Sequence, residues 1–308
     1  MEKVPEIVLN YPLVWINEYN DVKLMYNNLI KVIGEMDINL RINHDFKRKI
    51  KTNGIQLSCH TNFTDDNIWN LKKNYILGYF YFDKSGYSGW ADIANKDYSS
   101  KINEVNDEYA KSFFNEFSSN YIGNNISKYK QNNKEFKCDS KYVFVATQLL
   151  TDTVGKLAYI NTVDLVKNVV EMYKGSDIKV VVKIHPKETN KSLYDFLKNH
   201  DHVIVSDSSI HSIVPNCEKV YVVNSGVGFE SLLHLKPVIT TGKNDYSYVT
   251  HEVKNKEDLF KTINLPNTID KLKIKKYMYY MLKEYFVKVD CLDSIRKKLN
   301  IVVNEYKS

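Results

Sequence analysis

Cysteine is scarce and scattered: Cys59, Cys138, Cys217 and Cys291 lie far apart, and no two form a CxxC pair. That spacing offers neither a zinc ligand set nor a disulfide framework, and it leaves buried free thiols in a reducing compartment as the simplest account. Long hydrophobic runs are missing too; no window approaches the ~20 apolar residues that a spanning helix needs. The first ten residues carry Glu2, Lys3 and Glu6 and no long apolar core, so a signal peptide is not expected. These absences read as a cytoplasmic protein, at most resting on a membrane surface. There is no low-complexity tract, so disorder is not the default. HExxH and the phosphate loops GxxxxGKS and GxxxxGKT do not occur, which sets aside a zinc hydrolase and a P-loop nucleotidase. No DxD stands in a context that suggests a carboxylate-bound metal, and neither metal nor cofactor is expected. Zinc knuckles and RNP-like aromatic motifs are absent as well, so no nucleic-acid partner is expected.

Charge of one sign is only mildly in excess. The chain has 43 Lys+Arg against 37 Asp+Glu, a formal net charge of +6. Much of the excess falls near the end, in Lys271, Lys273, Lys275 and Lys276 and in Arg296, Lys297 and Lys298. A solvated helix face is the plain reading of such clusters; peripheral contact with an anionic membrane surface is the alternative. The length, 308 residues, argues for about two domains of roughly 150 residues, each able to bury its own core. Hydrophobic residues at 43% and charged residues at 26% fit soluble folded domains.

The first half, residues 1–138, reads as an irregular α/β domain. Ile7-Val8-Leu9 is strand-like and ends near Pro12. Asp21 can cap a helix whose Leu24, Tyr26, Leu29, Ile30 and Ile33 fit helical spacing. Residues 75–82 form an aromatic and aliphatic strand closed by Asp83-Lys84-Ser85-Gly86. Residues 103–117 read as a helix and 120–139 as a polar surface linker. The second half, 139–268, is more regular. Strands are expected at 142–146, 178–184, 203–205, 220–223 and 237–240, and helices at 163–173, 192–197, 208–214, 229–235 and 256–263. This alternation implies a parallel sheet covered on both faces, and continuous apolar strands are what such a sheet requires. Ligands bind such sheets at the carboxyl ends of the strands, so the polar residues just after each strand are the ones to inspect. Residues 269–308 read as one or two long helices.

Asn224-Ser225-Gly226-Val227-Gly228-Phe229-Glu230 lies between a buried strand and a helix. Small residues there let a backbone approach a ligand closely, and a helix N-terminus offers N–H groups to an anion. Ser225 can cap the helix and touch a phosphate; Glu230 can accept hydrogen bonds from ribose hydroxyls. The plain alternative is a glycine-containing turn with Glu230 favoured only by the helix dipole. Lys183-Ile184-His185-Pro186-Lys187-Glu188 stands at the end of another strand, which Pro186 closes rigidly. His185 can donate to a phosphate oxygen or stabilise a departing nucleotide, with Lys183 and Lys187 adding positive charge; the alternative is a lone surface or core histidine. Thr147-Gln148-Leu149-Leu150-Thr151-Asp152-Thr153 follows the first strand of the second half. Asp152 can be a nucleophile or a base and Gln148 can orient a donor or acceptor; the alternative is a helix N-cap at Thr151 or Asp152. The expected fold sets all three stretches on one edge of one sheet. In the first half, residues 81–90 either shape an aromatic loop facing a sugar or form a turn in which Tyr87 and Trp90 anchor a small core.

The order Gln148…Asp152, then Lys183-Ile184-His185-Pro186, then Ser225-Gly226-Val227-Gly228-Phe229-Glu230-Ser231-Leu232-Leu233-His234-Leu235-Lys236-Pro237-Val238, resembles the bacterial capsule polysaccharide biosynthesis family. That family includes β-Kdo glycosyltransferases that use CMP-Kdo. The resemblance covers roughly residues 140–260 and is most specific over 225–238. The His-Pro pair is also similar to that of bacterial sialyltransferases, which use CMP-sialic acid. The resemblance implies an α/β, GT-B-like architecture of two Rossmann-type domains facing a central cleft, here with C-terminal helices: 1–138 on the acceptor side, 139–268 binding the nucleotide sugar, 269–308 helical. It implies CMP-Kdo as donor, a glycan or glycolipid as acceptor, and no metal. The donor-binding residues it implies are Gln148, Lys183, Pro186, Ser225, Gly226, Val227, Gly228 and Glu230. Asp152 matches the aspartate that attacks the anomeric carbon in retaining Kdo transferases, which splits one hard step into two; His185 helps the nucleotide phosphate leave. The chain departs from the family at Gly242-Lys243-Asn244-Asp245-Tyr246, and its first half matches only loosely. An inverting CMP-sialic-acid-dependent transferase and a non-catalytic nucleotide-sugar-binding scaffold of the same fold are the competing expectations.

Overall fold

In the computed structural model, residues 5–44 and 49–307 are described; Glu2 and Lys3 of the charged N-terminus lie outside them. The chain forms two compact α/β units. One is built from the chain up to Tyr98 together with Tyr279 onward, the other from Ser99–Met278.

The first unit opens with β1 (Ile7–Asn10), α1 (Leu13–Glu18), α2 (Asn20–Glu35), β2 (Leu40–Asn43), β3 (Ile55–Cys59), β4 (Ile68–Lys73) and β5 (Tyr79–Asp83). Strands β2-β1-β3-β4 are parallel neighbours and β5 adds antiparallel. Every residue of β1, β3 and β5 is buried, as a sheet covered on both faces demands. Helix α2 buries Val22, Met25, Tyr26, Leu29, Val32 and Ile33 at helical spacing, and these share one core with β1 and β3. Asp21 does not cap this helix; it sits in the first turn and pairs with Lys73 at 2.9 Å.

The loop after β5 is an internally anchored turn. Asp83 Oδ1 accepts from the backbone N–H groups of Ser85, Gly86 and Asp92, and the Tyr285 hydroxyl donates to Oδ2. Tyr87 is buried and meets Trp90 edge-on at 5.3 Å. Gly86 has φ +148°, and a Cβ there would lie 2.9 Å from Trp90 Cβ, so no other residue fits. Of the two readings of residues 81–90, the geometry matches the anchoring turn.

The second unit contains α3 (Ser99–Asn103), α4 (Asp107–Gly123), β6 (Tyr142–Ala146), α5 (Thr162–Met172), β7 (Lys179–Lys183), α6 (Lys191–Lys198), β8 (Val203–Val205), α7 (Ile210–Ile213), β9 (Val220–Val222), α8 (Gly226–Leu232), β10 (Val238–Thr240), β11 (His251–Glu252), α9 (Lys256–Lys261) and α10 (Lys271–Tyr279). Its six strands are all parallel, in the order β11-β10-β9-β6-β7-β8. Counted from β6, that is 3-2-1-4-5-6, the Rossmann order. Helix α5 buries Leu165, Val166, Val169 and Val170 in one core with Val143, Val145, Val180 and Val182 of β6 and β7.

The division between units falls at 98/99 and 278/279, not at 138/139 and 268/269. The reason is that 120–139 is no surface linker. Helix α4 runs on to Gly123, Ile126 O accepts from a His211 ring nitrogen at 2.6 Å, Asn132 Nδ2 donates to Asp207 O at 2.7 Å, and the Phe136 N–H donates to Ser212 Oγ at 2.7 Å. These bonds fasten the segment to the second unit.

After Tyr279 the chain returns to the first unit. A π-helical turn (Tyr280–Tyr285) leads to β12 (Val287–Lys288), which pairs antiparallel with β5, and then to α11 (Leu292–Lys307). Ile295, Leu299, Val302 and Val303 of α11 join the core of that unit. The expected long helices are thus two, with a strand between them. Their basic clusters are engaged locally. Lys273 lies 4.0 Å over the Tyr248 ring, Lys275 donates to Asn115, and Lys276 pairs with Asp107 at 2.8 Å. Arg296 pairs with Glu35 and Asp293, Lys297 with Glu284, and Lys298 lies over Trp69. Among the described residues, no helix is long and apolar enough to cross a membrane.

Candidate functional site

In a sheet of this order the crossover connections leave the two central strands in opposite directions, and a crevice opens at their carboxyl ends. Here those strands are β6 and β9. The residues that follow them, and those that follow β7, include most of the candidate set: Gln148 and Asp152 after β6, His185 and Pro186 after β7, Ser225, Gly226 and Val227 after β9.

Gln148 is buried and ties the two central strands together. Its backbone N–H donates to Thr162 Oγ1 at 3.1 Å, and its Oε1 accepts from the Asn224 N–H at 3.4 Å. Asn224 in turn donates its side-chain amide to Val154 O at 2.9 Å and to Lys243 O at 3.2 Å. It thereby pins the 3-10 turn Thr153–Leu157, which begins just after Asp152, to the end of β9. Asn224 Oδ1 is buried and finds no hydrogen-bond partner among the described residues. An unsatisfied buried acceptor costs about 1–3 kcal/mol, and its presence at the ligand edge of the sheet calls for a functional reason.

Asp152 occupies the N-cap position of that turn, but its side chain makes no capping hydrogen bond. The carboxylate stays half-buried, and its charge reaches His185. The His185 backbone N–H donates to Thr147 Oγ1 at 2.8 Å, and its ring Nδ1 accepts from the Lys187 N–H at 3.1 Å. An accepting Nδ1 leaves the proton of the neutral ring on Nε2. Burial pushes the His185 pKa down, Lys128 and Lys187 push it further, and Asp152 and Glu188 oppose them. His185 is therefore a neutral ring offering an N–H donor at neutral pH. Tyr129 stands edge-on to it, with ring centroids 5.1 Å apart. Pro186 is exposed and opens a turn closed by the Glu188 N–H on His185 O at 2.9 Å.

Three candidates are used in other ways than the ligand contacts considered for them. The Lys183 ammonium donates to Asp207 O at 2.9 Å and Ser208 O at 2.7 Å, so its charge holds the loop after β8; burial lowers its pKa. At Gly228 a Cβ would lie 2.7 Å from the Tyr246 hydroxyl, which itself donates to Ser225 O at 2.7 Å. The absent side chain therefore makes room for Tyr246 and not for a ligand. Glu230 is 2% exposed. Tyr121 Oη donates to its Oε1 at 3.2 Å, and the Ser127 side chain and the Lys128 backbone also bond to it. Those protein groups take the place of ribose hydroxyls, and burial pushes the carboxyl pKa up to about 8. Ser225 caps α8, with Oγ accepting from the Val227 N–H at 3.3 Å.

Near the Glu230 partners Tyr121 and Ser127 lies a histidine pair, His211 buried and His234 half-buried. His211 Nε2 faces Ile126 O at 2.6 Å, and its Nδ1 faces His234 Nε2 at 2.9 Å. A carbonyl can only accept, so His211 carries its proton on Nε2 and receives one hydrogen bond from His234. Burial keeps both rings neutral, His234 with a pKa down to about 3. Sequence reasoning missed Tyr121, Ser127, Lys128 and Tyr129. A signal for the first was present: Phe113, Phe117 and Tyr121 recur every four residues and stack in series at 5.6 and 5.4 Å, which continues the helix past 117. Among the described residues, no three His, Cys, Asp or Glu side chains come together as a metal site.

Residues 92–289 match the family described as capsule polysaccharide biosynthesis protein. Two solved structures share the fold over nearly the whole chain. The β-Kdo 2,7 transferase of KpsC from Thermosulfurimonas dismutans has a TM-score of 0.56 at 16% identity, covering 97% of this chain and 99% of that one. The β-Kdo 2,4 transferase of the same KpsC has a TM-score of 0.54 at 14% identity, covering 89% and 90%. A comparison with curated proteins gave no match. The architecture is GT-B-like, with two Rossmann-type α/β units.

Proposed function

This chain belongs to the capsule polysaccharide biosynthesis protein family, and from that premise we propose that it is a glycosyltransferase carrying a sugar from a nucleotide donor to a glycan or glycolipid acceptor. The donor in this reading is CMP-Kdo and the reaction runs in the cytoplasm without a metal. The observation that carries the reading is that Asp152, His185 and Ser225 follow the carboxyl ends of the neighbouring strands β6, β7 and β9, on the edge where a Rossmann sheet binds its ligand.

The roles follow from the state of each group. Asp152 has a carboxylate that no cap engages; it attacks the anomeric carbon, the bond to the phosphate oxygen breaks, and CMP leaves with the electron pair. An acceptor hydroxyl then attacks the same carbon, the bond to Asp152 breaks and restores its carboxylate, and the hydroxyl proton passes to that departing carboxylate and on to water. Two easier steps replace one difficult one. His185 donates Nε2–H to the phosphate oxygen on which charge develops, a contribution greatest in the transition state. Ser225, Gly226 and Val227 lie along the phosphate, with Gln148 and Pro186 flanking it. Lys183, Gly228 and Glu230 shape the site from behind. The first unit serves the acceptor.

A thermal-shift titration with CMP, UDP, GDP and ADP tests the donor class, since a ligand that binds only the folded chain raises its melting temperature. Selective stabilisation by CMP, followed by turnover of CMP-Kdo that survives EDTA, is the expected result. Turnover of CMP-sialic acid in place of CMP-Kdo would move the donor sugar, and CMP binding with no turnover of either would leave a scaffold.

A further inference from the structure

A donor phosphate needs a cation, and of the two lysines expected from the sequence to add positive charge, Lys183 has its ammonium committed to two backbone carbonyls. The segment 126–129 brings another. Lys128 is exposed, with Nζ 5.5 Å from the centre of the Tyr129 ring, and that ring stands edge-on to His185 at 5.1 Å. The backbone beneath it is fixed at three successive residues. Ile126 O accepts from His211, while the Ser127 side chain and the Lys128 backbone bond to the buried Glu230. A cation on an anchored backbone loses less freedom on binding than one on a mobile loop. The charge of Lys128 is felt by His185 more than that of Lys187, and by Glu230 as well.

We propose that Lys128 binds the donor phosphate together with His185, its position set by Glu230 through the 126–129 segment. This rests on the nucleotide-donor reading above. Glu230 is then a positioning residue, and its buried carboxyl has the task of holding the cation-bearing segment over the end of β7.

The test is calorimetric titration of the full chain with CMP and UDP, and with cytidine and uridine, which lack the phosphate. The wild type is expected to prefer the nucleotide to its nucleoside. Lys128→Ala should weaken the nucleotide about tenfold, the scale of one charge-assisted contact, and leave nucleoside affinity unchanged. Lys128→Arg should keep most of the preference, and Lys187→Ala should cost less than Lys128→Ala. An unaltered melting temperature for Lys128→Ala shows that the fold is intact. If that variant keeps the wild-type ratio of nucleotide to nucleoside affinity, the assignment is wrong. Preference for UDP over CMP, still dependent on Lys128, would overturn the CMP reading and keep this one; no nucleotide binding by the wild type would overturn both.

Discussion

Asp83 in the first unit and Asp152 in the second both stand at or beyond the carboxyl end of a strand. Asp83 is buried and accepts from three backbone N–H groups and the Tyr285 hydroxyl. Asp152 is half-buried, and its side chain makes no capping bond although it holds the N-cap position. The same residue type is consumed by structure in one place and left available in the other. The contrast extends to their neighbours: the loop after β5 closes on itself, while the edge between β6 and β9 carries a buried acceptor, Asn224 Oδ1, with no partner among the described residues. A satisfied polar cluster is a scaffold; an unsatisfied one at a ligand edge is what a substrate completes.

The sharpest way to break this comparison is to remove one oxygen from Asp152. Asp152→Asn keeps the size and the turn but loses the nucleophile, so turnover of the sugar nucleotide should fall by about 10³-fold or more while the melting temperature and CMP affinity hold. Steady-state rates beside a binding titration decide it. A variant with near wild-type turnover would move the chemistry to another carboxylate. Asp83→Ala should do the reverse. It strands several buried donors at once, and each unsatisfied group costs about 1–3 kcal/mol. A loss of roughly 3 kcal/mol or more is expected in urea denaturation of the first unit, and a loss under about 1 kcal/mol would show that water takes over the role of the carboxylate.

How much of this was legible in the sequence differs between the units for a physical reason. In the second unit five of the six strands carry a continuous apolar run with polar residues beyond it, as at Val180-Val181-Val182, and only the two-residue β11, His251-Glu252, does not, so their order and edge follow from periodicity and the rule for parallel sheets. Asp152, His185 and Ser225 stand out as candidates because they sit beyond such runs. Lys183 stands at a strand end and has the charge a ligand site wants, yet the direction of its side chain is set by the loop after β8, 24 and 25 residues further along the chain. Glu230 in a helix first turn reads as an acceptor for ribose hydroxyls or a residue favoured by the dipole; its partners are instead Tyr121, Ser127 and Lys128, and beyond Tyr121 that stretch is mostly polar and carries no periodic signal. In the first unit the sheet is mixed and its last strand, β12, arrives from the far end of the chain, which local pattern cannot foresee.

Glu230 permits a finer test, because a buried acid with no ion pair has a signature in pH. Its folded-state pKa of about 8 lies above the ordinary 4.5. Its stabilising contribution is therefore complete below pH 4.5 and is lost as pH rises towards 8, a change on the order of 5 kcal/mol. The neutral histidines act at the other end: the pKa values of His185, His211 and His234 are lowered, so they cost stability as pH falls below about 6.5. Comparing the wild type with Glu230→Gln at each pH cancels the histidines. The difference in unfolding free energy should shift steadily in favour of the Gln variant between pH 5 and 8. A difference that does not move with pH would mean that Glu230 is ionised in the folded chain.

The smallest expected change in stability belongs to Asn224, and it separates positioning from packing. Asn224→Ala removes two hydrogen bonds, to Val154 O and Lys243 O, but it also removes the buried unpaired Oδ1. The losses and the gain nearly offset, so stability should change by about 1 kcal/mol or less. Activity should change more. The turn that begins after Asp152 loses its tie to β9, and a nucleophile displaced by a fraction of an ångström costs rate and not donor affinity. The expectation is a fall of about tenfold in kcat with little change in KM for the donor. If KM rises instead and kcat holds, Asn224 Oδ1 contacts the donor directly, and the unsatisfied acceptor between β6 and β9 is a binding group in its own right.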